Sequence, residues 1–253
     1  MELKQGVEPT GSSAESGGPT TNSIWSIMLG VFTAPARALA AYNQKPTIWV
    51  PLIVFVVLVT VFSGAYAPYQ NKASLELMRQ STTLTPEMLQ SIEQQSANVS
   101  FVRSALTGAA MAVIVTVIMG LLAWMAGTFF FGGTTTFKKI WGVTILGGLI
   151  GSVGKLLMLP LVIAKNSVAV SLGPAALYPS KDMTSILFMI LMYLDLFTIW
   201  SVVVSGIGYA AVFDFPRGKG ITISVIVTLI SMVVGLGLGM FGMSMAGLDV
   251  HFL

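Results

Sequence analysis

The chain has 253 residues, of which 55% are hydrophobic and only 9% are charged, and its formal net charge is +3 at pH 7. Because a soluble domain carries about 25% charged residues, this composition indicates an integral membrane protein. The absence of cysteine excludes disulfides and cysteine nucleophiles, and the single histidine, His251, argues against a multi-histidine metal site. The basic residues form no dense cluster, so we expect no nucleic-acid partner, and nothing in the sequence points to a cofactor.

The N-terminal region divides into two parts. Residues 1–22 are rich in Gly, Ser, Thr, Pro and Glu and can bury little apolar surface, so they predict a disordered cytoplasmic tail. Residues 23–46 carry apolar side chains at i, i+3 and i+4 spacing, which predicts an amphipathic helix that Pro35 should kink or split. Two placements are open for it, on the membrane surface or packed beneath the helix bundle.

Residues 47–253 contain five apolar runs that meet the requirement of about 20 residues for a membrane-spanning helix. The predicted fold is therefore an all-α integral membrane protein with five transmembrane helices, preceded by the amphipathic interfacial helix. The approximate spans are 47–67, 105–131, 140–164, 184–211 and 221–247.

Topology follows from the distribution of lysine and arginine in the loops. With a cytoplasmic N-terminus, seven basic residues flank the spans inside and five flank them outside, which predicts an extracytoplasmic C-terminus. The connection at 68–104 is then extracytoplasmic, and two short amphipathic segments in it predict a helical loop. Thr85 and Pro86 have the residue types that begin a helix, an N-cap followed by proline.

Glycines at four-residue spacing occur in two of the spans, as Gly147 and Gly151 in the third and Gly235 and Gly239 in the fifth. Such pairs let helix backbones approach closely in lipid. They predict helix packing within the bundle or, alternatively, a face that docks a second copy or a partner subunit.

Lys155 and Asp195 are the two charges inside the predicted spans, where a charge is costly unless it is paired, hydrated or needed for function. If the third and fourth spans are antiparallel neighbours, the depths of these residues differ by only about 3 Å. We therefore predict an ion pair that clamps the two spans, while snorkelling of Lys155 and a role in ion or proton conduction remain open. No catalytic constellation is evident, and His251 has no evident partner.

Four segments, taken in order, resemble the bacterial branch of the Yip family, the five-span membrane proteins named for interaction with Rab GTPases. They are Phe32-Thr33-Ala34-Pro35 leading to Lys45-Pro46, residues 132–139 (GGTTTFKK), Asp195-Leu196-Phe197-Thr198-Ile199-Trp200, and Gly206-Ile207-Gly208. The family's Asp-x-Phe-x-x-Trp pattern falls on Asp195, Phe197 and Trp200. The family brings no catalytic residues to this sequence and no role for Lys155.

The resemblance implies a bundle without catalytic activity. Eukaryotic members are linked to vesicle trafficking and Rab binding, and some bacterial members are associated with ABC-type exporters and adaptor proteins. We therefore expect a non-enzymatic protein of the bacterial inner membrane that serves as an accessory or assembly partner of a membrane complex, surrounded by lipid. The alternatives are self-association, a small transporter or channel that uses Lys155 and Asp195, and a trafficking factor if the source is eukaryotic.

Overall fold

The computed structural model describes residues 23–97 and 100–252, so the predicted tail, residues 1–22, lies outside the described residues. Five helices in the described ranges are long and apolar enough to cross a membrane, which confirms the predicted all-α integral membrane fold. In chain order the helices are α1 (Ile24–Thr33), α2 (Pro35–Gln44), α3 (Trp49–Met78), α4 (Pro86–Ala97), α5 (Phe101–Met125, continued by a π-helical turn, Ala126–Phe130), α6 (Phe137–Lys165), α7 (Ile186–Tyr193), α8 (Leu196–Phe213) and α9 (Arg217–Met245).

The N-terminal amphipathic segment forms two helices, α1 and α2, that meet at Ala34. Pro35 begins α2, since a residue without a backbone N–H fits the first helical position but would interrupt a continuous helix. Val31, Leu39 and Tyr42 are fully buried in one hydrophobic core with side chains of α6 and α8. Both helices thus pack against the bundle.

The first spanning helix is much longer than the sequence predicted. α3 continues to Met78, where we expected the span to end near residue 67. The helix continues through Pro68 into the amphipathic segment that follows, so the first of the two segments predicted in the loop forms the end of α3. The remaining connection is joined to α3 by an ion pair between Arg79 and Glu93 of α4 at 2.8 Å. Thr85 Oγ1 accepts a hydrogen bond from Met88 N at the start of α4.

Helix α6 lies at the centre of the bundle and packs against its neighbours through glycines. At each of four glycines, a side chain from α2, α3 or α8 occupies the space that a Cβ would fill. Because apolar side chains gain little by leaving lipid for another helix, close backbone approach of this kind is a main source of helix association in a membrane. The contacts are Gly142 with Tyr42, Gly147 with Ser205, Gly148 with Phe55 and Gly154 with Phe197.

The predicted fourth span, 184–211, is not one helix. It is divided into α7 and α8, with Leu194 and Asp195 outside both helices. Asp195 has an extended backbone (φ −94°, ψ 161°) and begins α8 as its N-cap. The break follows from the side chain, because aspartate competes for nearby backbone N–H groups and favours the start of a helix over its interior.

The C-terminal segment folds back along the start of α7. The carbonyl groups of His251 and Phe252 accept hydrogen bonds from Ile186 N and Leu187 N at 2.8 and 3.2 Å. These are N–H groups of the first helical turn, which have no partner within their own helix. His251, for which the sequence offered no partner, lies with its Nε2 atom 3.4 Å from Oδ2 of Asp182.

The hydrogen bonds that Asp182 accepts from Thr184 predict a pH-dependent contribution to stability. Hydrogen bonds from the Thr184 backbone N (2.8 Å) and Oγ1 (2.7 Å) hold the pKa of the Asp182 carboxyl below its ordinary value. A depressed pKa stabilises the fold at every pH above the unfolded-state value and ceases to do so as the pH falls through the folded value. We expect Asp182→Asn to lower the midpoint of thermal unfolding at neutral pH, and the deficit to shrink as the pH falls below about 4 and to disappear below the folded-state pKa of Asp182.

The matched control is Asp249→Asn. It removes an exposed carboxylate from the C-terminal segment that contains His251, and it should leave the midpoint of thermal unfolding unchanged at every pH. Thermal unfolding in mild detergent between neutral and acid pH measures both variants. A deficit for Asp182→Asn that stays constant over this range would contradict the account.

Candidate functional site

The candidate site is a cavity of about 510 Å³ that lies between α3, α5, α6, α8 and α9. Half of its lining side chains are polar, although all five helices belong to the predicted membrane-spanning set. Its hydroxyl groups are Thr116 on α5, Thr144 and Ser152 on α6, Thr198, Ser201, Ser205 and Tyr209 on α8, and Ser224, Thr228 and Ser231 on α9.

These hydroxyl groups recur at intervals of three or four residues along α8 and α9 and lie eight residues, about two turns, apart on α6, which places them on one side of each helix. In lipid a polar side chain has no water to bind, so such faces turn toward the bundle interior. Our sequence interpretation weighed charges and glycines and missed these three faces. The spacing of Ser and Thr inside apolar runs is the signal that could have revealed them.

Several of the hydroxyl groups already have hydrogen-bond partners inside the protein. Ser152 donates to a carbonyl of its own helix at 2.9 Å. Ser201 Oγ donates across the α6–α8 interface to the Gly147 carbonyl at 2.8 Å, and Thr144 and Tyr209 share a hydrogen bond at 3.1 Å. Since each hydroxyl oxygen keeps free lone pairs, the cavity wall can still accept hydrogen bonds from water or a ligand.

Lys155 is the only charged residue among the described side chains that line this cavity. It lies on the same face of α6 as Ser152 and is exposed to the cavity. Contact with a polar, accessible space explains how an ammonium group is tolerated between spanning helices, because water or hydroxyl oxygens can solvate it there.

Asp195 caps α8. Its Oδ1 atom accepts hydrogen bonds from the backbone N–H groups of Phe197 at 2.8 Å and Thr198 at 3.1 Å, and its Oδ2 atom accepts one from the Thr198 hydroxyl group. Three donors thus satisfy one carboxylate at a helix N-terminus, where the helix dipole also favours negative charge. Because Thr198 lines the cavity, Asp195 adjoins it without lining it.

The predicted ion pair between Lys155 and Asp195 is not formed as a direct contact. The ion pairs closer than 4.0 Å among the described residues are those of Arg79 with Glu93 and of His251 with Asp182. The depth comparison assumed an unbroken fourth helix, whereas the break turns the Asp195 oxygens toward the start of α8. The two opposite charges are still near enough to attract each other through space.

The predicted glycine pair on α6 is divided between two surroundings. Gly147 lies against Ser205 of α8, so it permits close packing inside the chain. Gly151 lines the cavity, and no atom of its described neighbours lies within 4 Å of where a Cβ would be.

The predicted pair on α9 is divided as well. Gly235 lies against the hydroxyl group of Tyr193 at the end of α7. Gly239, one turn further along the same face, has only open space at its Cβ position within the described part of the chain.

The residues that carried the family resemblance lie mainly at helix starts. Pro35 begins α2, Pro46 lies in the connection before α3, and Asp195 caps α8. Phe197 covers a glycine of α6, and Trp200 is partly exposed on the outside of the bundle. Pro35 and Asp195 begin helices and Phe197 packs against α6, so these three residues have roles in the fold.

The fold and this site define an all-α integral membrane protein, with five candidate spanning helices among the described residues. Residues 29–239 match the Yip1 domain, and the chain belongs to this family, which confirms the predicted resemblance. The chain is also similar to the membrane protein YknW of Bacillus subtilis (strain 168), with 24% identity over 189 residues that cover 72% of this chain and 76% of that protein. No solved structure matches the chain.

Capping by Asp195 can be separated from its charge by two substitutions. Asp195→Ala removes both and should lower the free energy of unfolding by about 1 kcal/mol. Asp195→Ser removes the charge but keeps a good N-cap, so it should retain most of the stability. Unfolding of the purified protein in mild detergent measures both variants. Equal losses for the two would show that the charge, acting on Lys155, matters more than the cap.

Proposed function

We propose that this protein is a non-enzymatic accessory subunit of a membrane complex and that it docks its partner through the C-terminal half of α9, residues 233–245. Much of this half of α9 is uncovered by the rest of the described chain, with Leu238 at 68% and Phe241 at 65% exposure. Lipid can cover such side chains at no cost, so exposure alone does not require a partner. The observation that carries the proposal is the glycine face beside them.

Gly235, Gly239 and Gly242 fall on one face of α9 by helical spacing. Tyr193 covers the first of them, whereas at the other two no described side chain and no other helix lies within 4 Å of the Cβ position beyond the immediate chain neighbours. A glycine inside a helix costs about 1 kcal/mol relative to alanine. In a membrane, close approach of another helix is the use that such residues serve. This face therefore supports docking of a partner's transmembrane helix at Gly239 and Gly242.

The partner that we propose is a transmembrane subunit of an ABC-type exporter or its adaptor. Similarity to a Bacillus membrane protein supports a bacterial setting. The proposal places the chain in the cytoplasmic membrane with its N-terminus inside and its C-terminus outside, as the loop charges predict. A vesicle-trafficking role has less support in that setting.

Transport through the bundle has less support than docking. Asp195 is engaged as a helix cap, and Lys155 is the one charge among the described cavity-lining side chains. A proton relay requires a series of titratable groups along the path. The hydroxyl groups of the cavity do not titrate in the physiological range and cannot replace them.

The docking face can be tested with two matched substitutions on α9. Gly239→Leu places a large side chain on the glycine face, whereas Gly237→Leu places it about 200° away around the same helix. Both sites have open space at the Cβ position, so neither variant should lose thermal stability. We expect Gly239→Leu to reduce recovery of co-purifying membrane subunits about tenfold in mild detergent, equivalent to about 1.4 kcal/mol, and Gly237→Leu to leave it unchanged.

Two results would contradict this assignment. If Gly239→Leu and Gly237→Leu recover equal amounts of the partner subunits, the glycine face is not part of the interface. The chain contains no cysteine, so Gly239→Cys supplies a single thiol. If this thiol forms a disulfide efficiently between two copies of the chain, the glycine face binds a second copy and not a partner subunit.

A further inference from the structure

A second cavity, also of about 510 Å³, lies between the end of α3, α4 and the start of α5. We call it the α3–α5 groove. It adjoins the hydroxyl-lined cavity, because Gly108 and Met111 line both. The side chain of Ser63 packs against Gly108, at the boundary between the two cavities.

The rim of the groove is polar and carries positive charge. Arg103 is its one charged side chain among the described lining residues, and the amides of Gln70, Asn71 and Gln95 accompany it. No carboxylate is among these lining residues. All four side chains can donate hydrogen bonds, so the rim suits an anionic ligand.

Arg103 is also free to bind such a ligand. The nearby carboxylate of Glu93, on α4, is bound by Arg79 through two hydrogen bonds at 3.0 and 2.8 Å. Arg103 has no carboxylate within 4.0 Å among the described residues, and its side chain is exposed. A guanidinium group presents N–H donors in a planar fork that matches the oxygens of a phosphate group.

The position of the groove along the helices indicates where that phosphate comes from. Asn71 lies 22 residues after the start of α3 at Trp49, which is about 33 Å along the helix axis. The hydrocarbon core of a bilayer is about 30 Å thick, so the rim lies at the level of the lipid headgroups. The stacked rings of Phe62 and Tyr66, with centroids 4.9 Å apart, lie lower in the groove, where the core begins.

We propose that the α3–α5 groove binds the phosphate of an anionic lipid headgroup, with Arg103 as the charged ligand and Gln70, Asn71 and Gln95 as further donors. The depth of the rim favours a lipid over a free anion, because a headgroup phosphate is held at that level by its own acyl chains. This site does not depend on the docking face of α9, which lies on another helix.

The test uses the full chain in neutral detergent, titrated with phosphatidylglycerol or with zwitterionic phosphatidylcholine, and follows the midpoint of thermal unfolding. We expect phosphatidylglycerol to raise the midpoint of the wild type, and Arg103→Gln to weaken this response about tenfold because a charge-assisted contact is lost. Arg103→Lys should retain part of the response, since it keeps the charge but not the fork.

Lys72→Gln is the matched control, because Lys72 is an exposed cation next to Asn71 that does not line the groove. We expect this variant to respond to phosphatidylglycerol as the wild type does, and inorganic phosphate alone to have no effect. An equal loss for Lys72→Gln would mean that surface charge in general attracts the lipid, and would overturn the site. A full response to inorganic phosphate would overturn the assignment to lipid.

Discussion

The bundle depends on close approach of side chains to the glycines of α6. Tyr42 of α2 and Phe197 of α8 fill the space that a Cβ on α6 would need, and Phe55 of α3 comes within 3.0 Å of a third Cβ position, so three neighbouring helices pack closely against α6. The next contact works in the same way, because the Gly206 carbonyl of α8 lies against Gly220 and thereby brings α9 to α8. In lipid such packing supplies the association that the hydrophobic effect supplies in water. Much of the C-terminal half of α9 is left uncovered by the rest of the described chain.

A second constraint is that backbone and side-chain polar groups must find partners where water is scarce. At the α7–α8 break, the carboxylate of Asp195 accepts hydrogen bonds from two N–H groups and a hydroxyl group. Elsewhere in the bundle, the hydroxyl groups of α6, α8 and α9 face one cavity. Lys155 shares that cavity, which accounts for a cation at this depth without an ion pair. Asp195 and several of the hydroxyl groups therefore stabilise the fold through hydrogen bonds inside the protein.

The sequence predicted those parts of the fold that follow from local composition. Five apolar runs, the break at Pro35 and the helix start at Thr85 and Pro86 all follow from hydropathy or from the geometry of single residues. The family followed from short motifs, which lie largely at helix starts.

The remaining features depend on contacts between distant segments. Helix α3 continues past Pro68, because the polar residues that follow keep helical register outside the hydrocarbon. The partner of His251 lies about 70 residues away in the sequence, and only the fold brings it to Asp182. The predicted direct ion pair between Lys155 and Asp195 is not formed, because the comparison of depths assumed that the fourth span is one continuous helix. The helix is instead interrupted at Asp195, which caps α8. Both cavities arise between helices, so no single segment reveals them.

The central claim, that contacts over the α6 glycines hold the bundle together, is tested most directly by two alanine substitutions on that helix. Gly154 lies against Phe197, whereas at Gly151 nothing among the described residues apart from its immediate neighbours and the backbone of its own helix lies within 4 Å of the Cβ position. Gly154→Ala should lower the free energy of unfolding by about 1–3 kcal/mol through overpacking. Gly151→Ala should leave it unchanged or raise it by up to about 1 kcal/mol through helix propensity. Equal effects of the two substitutions on unfolding in mild detergent would contradict the account.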